Sequence, residues 1–210
     1  MDFKPLQYIW QPADNSNGYT LLLLHGTGGD ETDLLPLGER IGKQYNLLGL
    51  RGNTQEHGMP RFFKRLGMGV FDEEDVHFRT HEMVHFLKEL SLEKGFDADK
   101  LIAVGYSNGA NIAGAILMLY PELLAGAALF RPMQPLHGIE DPFETEKAQP
   151  VFMSTGMQDN TVVPAATNAY ASLLEANGFN VSLHELETGH NLTQQDITLA
   201  SKWLGDSFKS

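Results

Sequence analysis

Apolar positions along the chain fall into short unbroken runs, separated by longer stretches in which they recur every three or four residues. The runs at residues 6–11, 20–24, 46–50, 101–105, 124–130, 151–155 and 181–186 predict strands, most of them apolar throughout, as strands covered on both faces are. The stretches at 34–42, 75–94, 108–120, 164–177 and 192–208 predict helices. In the second of these, Val76, Met83, Val84, Leu87 and Leu90 share one side and define its buried stripe. Strands and helices alternating in this way predict an α/β chain with a mostly parallel sheet. Residues 51–74 and 131–149 fit neither period, and loops of that length tend to be functional or mobile.

The chain has 210 residues, enough for one sizeable core and too few for two ordinary domains, so a single domain over 1–210 is expected. Its 15 Lys and Arg against 27 Asp and Glu give a formal net charge of −12, a field that repels nucleic acid and anionic membranes. Neither is an expected partner, and no stable membrane association is expected. The lack of cysteine removes thiolate nucleophiles, disulfides and Cys-ligated zinc, which fits a reducing compartment. The opening MDFKPLQYIW has no basic segment leading into an apolar one, and no stretch is long and apolar enough to span a bilayer. A cytoplasmic, untargeted chain is the expectation.

Chemistry enters at LIAVGYSNGANIAGAI, where a predicted strand runs through Gly105, Ser107 and Gly109 into a predicted helix. A Gly-x-Ser-x-Gly turn between strand and helix strains its central residue and lifts the hydroxyl to the carboxyl end of the sheet, beside the first N–H groups of the helix. Ser107 is therefore a candidate nucleophile. Such a serine needs a base, and the base needs an orienting acid. Two later strand-end loops supply them in the order Ser, Asp, His: Asp159 in TGMQDNTVVP and His190 in ETGHNL. Asp141 is the next candidate for the acid. The loop after the second strand, HGTGGDETD, offers the N–H of Thr27 as one oxyanion donor, and Asn108 after the serine offers the other. That loop lacks the Lys-Ser/Thr ending of a phosphate loop and the third glycine of a dinucleotide fingerprint.

Together, LLLLHGTGGDETDLLPL, RGNTQEHGMPRFFKR, GVFDEEDV, GYSNGANIA and MQDNTVVP resemble the phospholipase/carboxylesterase family of α/β-hydrolases, which includes the acyl-protein thioesterases. The resemblance spans nearly the whole chain. RFFKRLGMGVFDEEDV is similar to a bacterial subgroup of small carboxylesterases, some linked to hydroquinone stress. The resemblance implies an α/β-hydrolase fold, with helices on both faces of a mostly parallel central sheet and no large lid. It implies a Ser107, Asp159, His190 triad with oxyanion donors at Thr27 and Asn108, and no cofactor. Asn108 stands where the thioesterases have glutamine, so their particular substrates do not transfer with the motif.

The expected activity is serine carboxylesterase action on small to medium esters, a small-molecule substrate, with room for a homodimer. An acyl-protein thioesterase or lysophospholipase is the alternative among enzymes, and a non-catalytic small-molecule binder the alternative outside them. Phe62, Phe63, Met68, Phe71, Met133 and Phe143 are candidate walls of an acyl or aromatic pocket, since ligand sites are mostly apolar. His77, His81 and His85 recur every four residues, a spacing that can hold a metal. They lie away from the apolar stripe and read as a solvated helix face, and no metal is expected.

Overall fold

The computed structural model describes residues 3–139 and 143–208. In chain order its elements are β1 (Tyr8–Gln11), β2 (Thr20–Leu24), α1 (Leu35–Ile41), β3 (Asn46–Leu50), β4 (Thr54–Glu56), β5 (Met59–Arg61), β6 (Arg65–Gly67) and β7 (Val70–Phe71). There follow α2 (Glu73–Lys94), β8 (Leu101–Tyr106), α3 (Asn108–Leu119), β9 (Gly126–Phe130), β10 (Pro150–Gly156), α4 (Pro164–Ala176), β11 (Asn180–Leu186) and α5 (Gln194–Ser207). Seven strands form one sheet in the order β1-β3-β2-β8-β9-β10-β11, parallel throughout except for β1 at the edge.

The unbroken apolar runs are explained by helices on both faces. In β2, Leu22 and Leu24 point to the layer of α2, α3 and α4, while Leu21 and Leu23 point to the layer of α1 and α5. Strand β8 alternates in the same way, with Leu101 and Ala103 on one side and Ile102 and Val104 on the other. Burying each such side chain contributes about 1.5–3 kcal/mol, so a slip by one residue, which exchanges the faces, is strongly disfavoured. Helix α2 buries the stripe of Val76, Met83, Val84, Leu87 and Leu90. Asp72 caps it by accepting the Asp75 N–H at 3.1 Å, and Gly95 ends it in a left-handed turn.

Register brings the functional loops to one edge. Leu24 pairs with both Leu50 and Gly105, Phe130 with both Tyr106 and Ser154, and Gly156 with Leu186. The carboxyl ends of six parallel strands are therefore nearly level. From β2 the chain steps outward to β3 and then returns to β8 on the other side of β2, so the order reverses between β2 and β8. A crevice opens at such a switch point. The segment that fitted neither period, 51–74, holds two small hairpins, β4–β5 and β6–β7, and the first residues of α2. Among the described residues of 131–149 there is neither helix nor strand.

Candidate active site

Ser107 sits between β8 and α3 with φ 52° and ψ −112°, a conformation non-glycine residues avoid. It costs about 1–3 kcal/mol and persists because the surroundings fix it. The Ser107 N–H donates to Phe130 O at 2.9 Å, and its carbonyl accepts from Asn111 N at 3.0 Å. Space at the turn is set by the flanking glycines. A Cβ on Gly105 would run into the Gly109 carbonyl, and one on Gly109 into the Leu24 carbonyl of the neighbouring strand. The helix can thus press directly on the end of β2.

His190, in the loop after β11, reaches back over this turn. Its Nε2 lies 3.0 Å from Ser107 Oγ and its Nδ1 lies 2.7 Å from Asp159 Oδ2. The other Asp159 oxygen, Oδ1, accepts the N–H groups of Thr161 at 2.7 Å and Val162 at 3.0 Å. Burial alone would push the Asp159 carboxyl upward, but the Val162 N–H, His190 and the Thr161 N–H together hold it below the ordinary carboxylate range. An ionised carboxylate only accepts, so the proton of neutral His190 is assigned to Nδ1 and Nε2 is left to accept from the serine. Tyr106, next to the serine, donates its hydroxyl to His190 O at 3.2 Å.

Across the crevice, residues 25–29 turn sharply at Gly28, whose φ of 88° is open to glycine at little cost. Gly28 N donates to Pro60 O at 2.9 Å and Gly29 N to Gly26 O at 3.1 Å. The backbone N–H groups of Thr27 and Asn108, by contrast, donate to no protein acceptor among the described residues. The Thr27 hydroxyl accepts from Arg61 Nη1 at 2.6 Å, and Asn108 Oδ1 accepts the Phe62 N–H at 2.8 Å. His25 fixes the base of the loop. Its Nδ1 donates to Gly26 O at 2.6 Å, which leaves Nε2 to accept the Gly52 N–H at 3.1 Å. Burial lowers the pKa of this histidine and keeps it neutral in that role.

Of the candidate pocket residues, Phe62 is tied by its N–H to Asn108, the neighbour of Ser107. Phe62 and Phe63, 2% and 0% exposed, belong to the core, Phe62 against the His25 ring and Phe63 edge-on to Phe71. Phe143 is also buried in the core and borders a cavity of about 290 Å³ between α3, α4 and the loop after β9. Phe71 is half-buried, Met133 is half-buried beside Gly69, and Met68 is 68% exposed on the β6–β7 hairpin. A cavity of about 300 Å³ is lined by Gly26, Thr27, Asp33, Leu34, Tyr106, Asn191 and Leu192, among them the chain neighbours of Ser107 and His190. Asp141 lies outside the described residues.

On α2, His77 and His81 are half-buried and His85 is exposed. His81 Nδ1 lies 2.6 Å from Tyr120 Oη, and His85 stands beside Phe3. Sequence reasoning missed His25, Tyr106 and, above all, Arg131. Arg131 is fully buried at the end of β9 and spans to Asp196 at the start of α5. A charge directly after an apolar strand was the one local signal, since a buried Arg demands a buried acid.

The sequence profile of the phospholipase/carboxylesterase family matches residues 49–207. The putative hydrolase MhqD of Bacillus subtilis (strain 168) is 43% identical over 198 residues, covering 94% of this chain and 97% of that protein. Among solved structures, a Bacillus cereus carboxylesterase superposes with a TM-score of 0.92 at 41% identity, over 96% of this chain and 94% of that one. A carboxylesterase from Mesorhizobium loti gives 0.88 at 30% identity, over 95% and 94%. Similar to these proteins along nearly their full length, the chain belongs to the phospholipase/carboxylesterase family of hydrolases, with the α/β-hydrolase fold.

Proposed function

We propose that the protein is a serine carboxylesterase that hydrolyses small to medium carboxylic esters through an acyl-enzyme on Ser107. The observation that carries this reading is the unbroken hydrogen-bond chain from Ser107 Oγ through His190 to Asp159, built on a strained turn. His190 Nε2 takes the serine proton as Oγ attacks the ester carbonyl carbon. The N–H groups of Thr27 and Asn108 stabilise the tetrahedral oxyanion. Its collapse breaks the bond to the alcohol, which leaves with the proton held by His190. Water then attacks the acyl-enzyme, giving its proton to the same nitrogen, and the carboxylic acid departs as Ser107 is restored. Asp159 stays ionised throughout and stabilises the imidazolium.

Among the described residues no helix is long and apolar enough to cross a membrane. We take the substrate to arrive from water, within the cytoplasm, through the crevice between β2 and β8. A second reading, action on longer acyl chains, draws on Leu66, Met68 and Val70, which the β6–β7 hairpin exposes. Ser107→Ala tests the mechanism: hydrolysis of a nitrophenyl ester should fall on the order of 10⁴-fold or more with the fold intact. Activity above a tenth of the unmutated rate would remove Ser107 as nucleophile.

A further inference from the structure

Arg131 belongs to none of the chemical steps above, yet its guanidinium makes five hydrogen bonds at this edge of the sheet. It has no solvent exposure and a φ of 56°. Its guanidinium grips Asp196 with both terminal nitrogens, Nη1 to Oδ1 at 2.8 Å and Nη2 to Oδ2 at 2.9 Å, and Nη1 also donates to Ser154 Oγ at 2.7 Å. These bonds already satisfy the ion pair. The fork extends further, with Nε donating to Gly189 O at 3.2 Å and Nη2 to Asn191 O at 3.0 Å. Gly189 and Asn191 flank His190, whose own carbonyl is held by Tyr106. Three consecutive carbonyls of the histidine loop are therefore fixed by side chains, two of them by one guanidinium.

We propose that Arg131 is the positioning residue that holds the His190 imidazole in line between Ser107 and Asp159, with Asp196 as the counter-ion that aims it. The proposal rests on the reading of Ser107, His190 and Asp159 as the reacting chain. Only a planar fork with five donors can reach two loop carbonyls while bridging a carboxylate, so lysine at this position keeps the charge and loses the span. A shift of about 1 Å in a general base lowers the rate on the order of 10²-fold without weakening substrate binding.

The test is Arg131→Lys, made both in the unmutated enzyme and in His190→Ala, with kcat, KM and circular dichroism measured for each. Expected is a fall in kcat of about 10- to 100-fold with KM within about two-fold, and no further fall in the His190→Ala background, because members of one unit are not additive. Arg131→Gln combined with Asp196→Asn leaves no buried charge unpaired and gives the same pattern if the lysine variant does not fold. An unchanged kcat, a loss confined to KM, or an equal loss in the His190→Ala background overturns the proposal. A His190→Ala enzyme as active as the unmutated one would instead overturn the catalytic reading, and the positioning role with it.

Discussion

Asp159 is both shielded from water and ionised, and the reason is local. Burial alone opposes the charge, but the Val162 N–H, the His190 imidazole and the Thr161 N–H outweigh it and depress the carboxyl. Its folded pKa lies below the unfolded value of about 3.9, so its contribution to stability is complete above that pH and is lost as pH falls through the folded value. Between pH 8 and 5, then, Asp159 keeps its charge and cannot cause a loss of rate. Near-ultraviolet circular dichroism should therefore stay constant over that range, whatever the activity does. A loss of activity that followed unfolding would speak against this. Asp159→Asn should stay folded yet lose on the order of 10⁴ in kcat, because an amide can present N–H to Nδ1 and favour the wrong tautomer. Full activity in that variant would move the orienting acid elsewhere.

At the scale of elements, the β8–α3 turn depends on helix and strand meeting without a side chain between them. Gly109→Ala would drive a methyl into the Leu24 carbonyl, so α3 must back away and carry Ser107 and the Asn108 N–H with it. The expected result is a loss of about 1–3 kcal/mol in stability together with a fall in kcat on the order of 10²-fold, read by thermal melting and kinetics. Gly205→Ala on α5 is the control, since a Cβ there meets nothing within 4 Å and should stabilise by up to about 1 kcal/mol. Equal melting temperatures for the two variants would refute the packing argument. The turn, the five helices and the seven sheet strands were legible in the sequence because each is a long or unbroken pattern. The β4–β5 and β6–β7 hairpins were not, since strands of two or three residues hold too few alternations to set a period. Burial of Phe62, Phe63 and Phe143 was not legible either, since an apolar residue in an aperiodic segment gives no sign of the side it faces. The Arg131–Asp196 pair joins positions 65 apart, so the charge after β9 signals a buried acid without saying which one.

For the whole molecule, the parallel sheet delivers loops from β2, β8, β10 and β11 to one edge, and the reversal of strand order opens the crevice where two of them meet. Substrate range follows from what surrounds that crevice. The cavity of about 300 Å³ that Thr27, Tyr106 and Asn191 help to line has polar and apolar walls together, while the net charge of −12 disfavours anionic lipid surfaces. Each methylene that fits adds up to about 0.8 kcal/mol until the space is full. Across nitrophenyl esters from acetate to palmitate, held below aggregation, kcat/KM should peak at short to medium chains. A maximum at palmitate would favour the longer-chain reading supported by Leu66, Met68 and Val70. The acyl-enzyme itself is tested most directly by mass spectrometry after reaction with a fluorophosphonate. One adduct per chain is expected, on the peptide that holds Ser107, growing in step with the loss of esterase activity and absent from Ser107→Ala. Complete inactivation with the adduct on another residue would contradict a serine mechanism at this turn.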